Sequence, residues 1–182
     1  MPEDRTTKSY FRMFAWYSAI RDFFNPPRNC VAEAGAKPGD VVLDFGFGRG
    51  GFALAAAEAA GPEGKVYALD ANPFAVESFQ KKAEKKGLAH VEAIHSDGPT
   101  GLPDGSVDVV LLYDVFHELD DTDAVLRELH RVMRPGGTLS FSDHHLEEEE
   151  AISRLGAGGL FEFSKKYKNT YAFVKKSGAE GG

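Results

Sequence analysis

Residues 41–60 constrain the fold more than any other stretch of the chain. Val41-Val42-Leu43-Asp44-Phe45 is an apolar, β-branched run. It leads into Gly46-Phe47-Gly48-Arg49-Gly50-Gly51, and an alanine-rich segment continues to Ala60. This reads as a strand, a tight glycine loop and a helix. Glycine suits a loop where the backbone turns sharply and must let a ligand approach without a Cβ in the way. The helix start then offers free N–H donors to a polar or anionic group.

The same alternation runs on through the chain. Strand-like runs at Lys65–Leu69, Val91–His95, Val107–Leu112 and Thr138–Ser142 are separated by helical patterns at Pro73–Lys86 and Asp123–Arg134. Asn72-Pro73 marks a helix start, with an N-cap residue followed by proline in the first turn. Pro135-Gly136-Gly137 marks a stop. Alternating strands and helices predict an α/β fold, a Rossmann-like doubly wound and mostly parallel sheet with helices on both faces. Near the C-terminus a helix is expected to start at Glu147–Glu150. Leu160–Ser164 and Tyr171–Lys175 flank a basic turn and predict an antiparallel pair at the sheet edge.

The 182 residues fit a single domain. Within it the reading separates an N-terminal helical cap over residues 1–36, a core over 37–176 and a disordered tail over 177–182. A short helix is expected at Cys30–Ala34. No apolar run reaches the roughly 18–20 residues that span a bilayer, and no apolar signal core follows the polar start. The single cysteine, Cys30, excludes an intramolecular disulfide framework and a multi-cysteine zinc site. These features predict a cytoplasmic protein. A net charge of −7 gives the surface no general attraction for nucleic acid. Lys81, Lys82, Lys85 and Lys86 cluster, but they close a predicted helix, where cations suit the negative pole of its dipole.

The glycine loop by itself fits two cofactor classes. Gly46, Gly48 and Gly51 satisfy the dinucleotide pattern G-x-G-x-x-G, with Asp70 nineteen residues further on. Gly46, Gly48 and Gly50 equally satisfy G-x-G-x-G after an acid. Other residues favour the second. Asp44 would oppose a pyrophosphate and suits a cationic amino group. Asp70, at the end of the second strand, suits a ribose diol. Asp97-Gly98 ends the third strand, where an acid could meet an adenine amino group. Tyr113-Asp114-Val115-Phe116-His117-Glu118 lies at the end of the fourth strand, beside the switch point where open α/β sheets bind ligands.

In the order and spacing of these motifs the chain resembles the class I S-adenosylmethionine-dependent methyltransferases of small-molecule type, similar to the ubiquinone/menaquinone C-methyltransferases. The resemblance covers about Pro38 to Ser142. It implies a seven-stranded sheet with an antiparallel last strand, S-adenosylmethionine as cofactor and S-adenosylhomocysteine as product. It also implies that Asp44, Gly46, Phe47, Gly48 and Gly50 cradle the methionine moiety and that Asp70 binds the ribose. Ala71 and Asn72 would flank the adenine, Asp97 and Gly98 would contact it, and Tyr113 and Asp114 would lie next to the methyl donor. Phe47 and Arg49 depart from the small residues usual at their positions, and a bulky Phe47 would crowd the loop. A S-adenosylmethionine-binding subunit without turnover and an NAD(P)-dependent oxidoreductase are the alternatives.

Methyl transfer from a sulfonium is an in-line displacement and needs mainly correct placement of the nucleophile. No obligatory catalytic residue follows from the fold, and His117 is the candidate base or acceptor contact. His144 is the second candidate for the acceptor pocket. His144 and His145 follow Asp143 and with His117 could make a zinc or iron site, but adjacent residues at a strand end usually point to opposite sides, and no metal is expected. His90, His95 and His130 read as surface or strand-edge residues. Cys30 alone cannot hold a trithiol-bound substrate. Tyr10, Phe14 and Tyr17 recur at helical spacing. They read either as ordinary core or as a lid forming one wall of an apolar pocket for a small-molecule acceptor.

Overall fold

The computed structural model describes residues 26–176. Seven strands and five helices alternate along them: α1 (Pro27–Ala34), β1 (Val41–Phe45), α2 (Gly51–Ala60), β2 (Lys65–Asp70), α3 (Pro73–Lys85), β3 (Val91–His95), β4 (Val107–Tyr113), α4 (Thr122–Val132), β5 (Met133–Ser142), α5 (Glu148–Gly156), β6 (Phe161–Lys166) and β7 (Tyr171–Lys175). A 3₁₀ turn, Phe116–Glu118, follows β4. The strands form one sheet in the order β3-β2-β1-β4-β5-β7-β6. β1 to β5 are mutually parallel, and β7 runs antiparallel to both β5 and β6.

Side-chain alternation along each strand feeds two separate cores. On one face Val42, Val66, Ala68, Leu111 and Tyr113 pack with buried residues of α1, α2 and α3. On the other, Leu43, Phe45, Leu69, Leu112, Leu139 and Phe141 pack with those of α4 and α5. Burying each such leucine or phenylalanine contributes about 1.5–3 kcal/mol. α2 is built largely of alanine, so it lies close on the sheet and buries six of its ten residues. α1 is core as well: Cys30, Val31 and Ala34 are at most 3% exposed. Its residues therefore serve the domain interior, although the sequence groups them with an N-terminal cap.

Local chemistry explains the helix ends. The Asn72 side chain accepts hydrogen bonds from the N–H groups of Phe74 (2.9 Å) and Ala75 (3.3 Å), and Pro73 follows in the first turn. Asp121 caps α4 by accepting from Ala124 N–H at 2.8 Å. α4 ends at Val132, two residues before the expected stop. Pro135 disfavours a helical Arg134, and Met133 is already extended and begins β5. Met133 pairs with Val107 and Thr138 with Val109, so a bulge absorbs the Pro-Gly-Gly segment inside the strand.

Candidate functional site

The C-terminal ends of β1, β2, β4 and β5 meet on one edge of the sheet, where open α/β sheets bind ligands. Asp44, in β1, is buried at 1% exposure. The loop after it turns through Gly46, Gly48 and Gly50, all at positive φ (77°, 54° and 74°). A Cβ on Gly46 would lie 2.5 Å from Val115, and one on Gly50 would lie 2.1 Å from the ring of Phe79. Two of these glycines are therefore required by the protein's own side chains as well as by the turn.

Phe47 differs most from expectation. Its ring is buried at 3% exposure and packs on Phe79 of α3 with 4.8 Å between ring centroids. It anchors the loop to the helix layer. Arg49 is exposed.

Asp70 closes β2 and faces the glycine loop. One carboxylate oxygen accepts from Gly48 N–H and the other from Asn72 N–H, both at 2.8 Å. Burial pushes its carboxyl up from the ordinary aspartate value, and the two N–H bonds partly offset this. Asn72 is buried as the α3 cap, while Ala71 beside it is exposed and accepts from His95 Nε2 at 3.1 Å. Asp97 is exposed and Gly98 half-buried in the loop after β3. His90 Nε2 and His130 Nε2 likewise bond carbonyls, those of Ala57 and Lys176.

Tyr113 and Asp114, adjacent in sequence, diverge. The Tyr113 ring turns into the α1–α3 core, edge-on to Phe52, and its hydroxyl donates to Ser140 Oγ at 2.7 Å. Burial pushes its phenol well above the usual range. Asp114 has φ 51°, and among the described residues it is the one non-glycine at positive φ. Its carboxylate accepts from both the backbone N–H (3.1 Å) and Nδ1 (2.9 Å) of His144.

His117, in the turn after β4, meets Asp143, directly after β5. Its backbone N–H donates to Asp143 at 3.0 Å, and Nδ1 lies 2.9 Å from both carboxylate oxygens. The Asp143 side chain is fully buried and that of His117 is 22% exposed. In a neutral ring whose Nδ1 donates to Asp143, Nε2 carries the lone pair. His145 N–H also donates to Asp143, at 3.0 Å. The three imidazoles converge, contrary to expectation: centroids are 4.0 Å apart for His117–His145, 3.9 Å for His144–His145 and 5.8 Å for His117–His144. The reason is local. His144 and His145 lie in a turn beyond β5, where strand alternation no longer applies. Sequence reasoning also missed Asp143 as the partner of His117, since nothing local links residues 26 positions apart. Tyr10, Phe14 and Tyr17, and the tail from residue 177, lie outside the described residues.

The donor set can be tested against the nucleoside cofactor implied by the fold. Two carboxylates, Asp44 and Asp70, flank a glycine loop preceding a helix N-terminus. This chemistry suits an amino group and a ribose diol and opposes a pyrophosphate. The residues fit S-adenosylmethionine.

Comparison with known proteins agrees. Residues 36–176 match the family model described as a methyltransferase domain, and the chain belongs to that family. It is 30% identical over 142 residues to the demethylmenaquinone methyltransferase of Geobacillus kaustophilus, covering 74% of this chain and 61% of that one. It is 33% identical over 107 residues to the ubiquinone/menaquinone biosynthesis C-methyltransferase of Cupriavidus taiwanensis, covering 59% and 44%. The chain thus spans about half the length of these curated relatives. A SAM dependent methyltransferase from Aquifex aeolicus superposes with a TM-score of 0.73 at 26% identity, covering 86% of this chain and 97% of that one.

Proposed function

We propose that the protein is an S-adenosylmethionine-dependent methyltransferase acting on a small-molecule acceptor, with S-adenosylhomocysteine as product. The observation that carries this is the pairing of Asp44 and Asp70 around the Gly46–Gly50 loop in a chain of the methyltransferase-domain family. The relatives named as quinone methyltransferases support a small-molecule acceptor.

When bound, S-adenosylmethionine supplies a methyl group already activated by its sulfonium charge. The chain's own work is binding and placement. Asp44 would take the amino group, the loop N–H groups the carboxylate, and Asp70 the ribose hydroxyls. Ala71, Asn72, Asp97 and Gly98 would border the adenine. His117 would contact the acceptor. Asp143 fixes its Nδ1–H, so Nε2 is left to accept a hydrogen bond from the acceptor's nucleophilic group. Among the described residues no helix is long and apolar enough to cross a membrane. A cytoplasmic setting belongs to this reading.

Calorimetry with S-adenosylmethionine, S-adenosylhomocysteine and NADH tests the cofactor. The first two are expected to bind, and Asp70→Ala to weaken them by about 1.5–3 kcal/mol. NADH binding without S-adenosylmethionine binding would overturn the reading.

A further inference from the structure

We propose that Asp114, Asp143 and His144 form a binding site for a divalent first-row metal ion. β4 and β5 are parallel neighbours whose last pair is Tyr113 with Ser142, and Asp114 N–H donates to Ser142 carbonyl at 2.8 Å. The next residue of each strand is an aspartate, so two carboxylates leave the same sheet edge side by side. One oxygen from each and one ring nitrogen of His144 lie within 4.8 Å of one another. Ligands around one such ion sit about 2.0–2.2 Å from it. The His144 side chain is 42% exposed, so its ring has room to adjust to an ion.

Both carboxylates are already oriented by protein donors. Asp143 is held by the N–H groups of His117 and His145 and by Nδ1 of His117, and Asp114 by the N–H of His144. Hydrogen bonds of this kind to ligating carboxylates fix their direction and raise metal affinity. The electrostatics point the same way. The Asp143 side chain is 0% exposed and that of Asp114 9%, so two carboxyl groups share a low-dielectric site that suits a divalent cation. The His117 ring lies edge-on to His144 and tilted against His145, with centroids 5.8 and 4.0 Å apart, so imidazoles wall one side of the site. Two carboxylates with imidazole suit Mn²⁺, Fe²⁺ or Zn²⁺ and disfavour soft monovalent ions. The site occupies the edge assigned to the acceptor, so an ion there would hold an acceptor through an oxygen donor. That last consequence rests on the methyltransferase reading, whereas the metal site does not.

The test is calorimetric titration of the chelator-dialysed full-length protein with Mn²⁺ and Zn²⁺, with thermal unfolding recorded in parallel. One equivalent is expected to bind and to raise Tm. Asp114→Asn and His144→Ala should each weaken binding by about tenfold or more and abolish the rise in Tm, while Glu149→Gln, on an exposed helix start, should change neither. These substitutions avoid the fully buried Asp143, so loss of fold does not confuse the result. No saturable binding, or binding unchanged in both variants, would overturn the proposal. S-adenosylmethionine titration of the same samples separates this failure from failure of the methyltransferase reading.

Discussion

Glu33 in α1 and Asn169 in the β6–β7 turn stand 136 residues apart, yet the Glu33 carboxylate takes both N–H types that Asn169 offers. The backbone N–H donates at 3.1 Å and Nδ2 at 2.7 Å, and the neighbouring Thr170 hydroxyl adds a third bond at 2.9 Å. Glu33→Ala would strand these donors, with Thr170 only 1% exposed. Urea unfolding is expected to show a loss of about 2 kcal/mol. A change below about 0.5 kcal/mol would mean that water replaces the carboxylate.

Gly50 and Phe79 offer a double-mutant test of the loop. A methyl group on Gly50 would strike the Phe79 ring and also face a φ of 74°. Gly50→Ala should therefore cost more than the ~1 kcal/mol expected from backbone strain alone. Phe79→Ala should cost about 3–5 kcal/mol by itself. In that background Gly50→Ala should cost less, since only the strain remains. Additive costs would show that the ring moves aside freely.

Tyr113→Phe separates a core role from a cofactor role. The variant removes the bond to Ser140, which is 0% exposed, and should lower stability by about 1–2 kcal/mol. Calorimetry should find S-adenosylmethionine affinity unchanged. A marked loss of affinity would place the hydroxyl at the ligand.

Glu128 predicts an acid-sensitive contact. Bonds from Arg131, then from Thr100, hold its carboxyl at about 2, against an ordinary value of 4.5. A depressed folded-state value means the stabilisation is complete above about pH 4.5 and disappears as pH falls toward 2. Denaturation midpoints should fall across that window in the natural protein and fall less steeply in Glu128→Gln. Parallel slopes would assign the acid sensitivity to other carboxylates.

His117→Ala checks the acceptor contact. With Nε2 removed, S-adenosylmethionine should bind as before while turnover on the true acceptor drops, about 10²-fold or more if Nε2 helps withdraw a proton. Turnover at the natural rate would show that His117 serves only to tie the β4 turn to Asp143.

The elements legible in the sequence were those signalled locally. Val41–Phe45, Val91–His95 and Tyr171–Lys175 are bounded as strands where apolar runs meet turn residues, and Asn72-Pro73 opens α3 as its chemistry requires. The placement of Asp44 and Asp70 near strand ends beside the glycine loop was legible as well, because the apolar runs and the glycines mark those ends. What escaped depends on partners distant in the chain. Phe47 is a core residue only because Phe79 lies across from it, and His117 gains its orientation only from Asp143. The close approach of His144 and His145 depends on where β5 ends, a boundary that pairing with β4 and β7 decides.

The position of β7 between β5 and β6 has a consequence for synthesis. As the chain leaves the ribosome, β6 emerges before the strand that must separate it from β5, so it has no docking edge. The exposed edge of β5 stays open until the last residues of the domain are made, and the nascent chain is vulnerable to strand-mediated association in that interval. Pairing of β7 with β5, rather than completion of the ligand-binding edge, is then the step that closes the sheet.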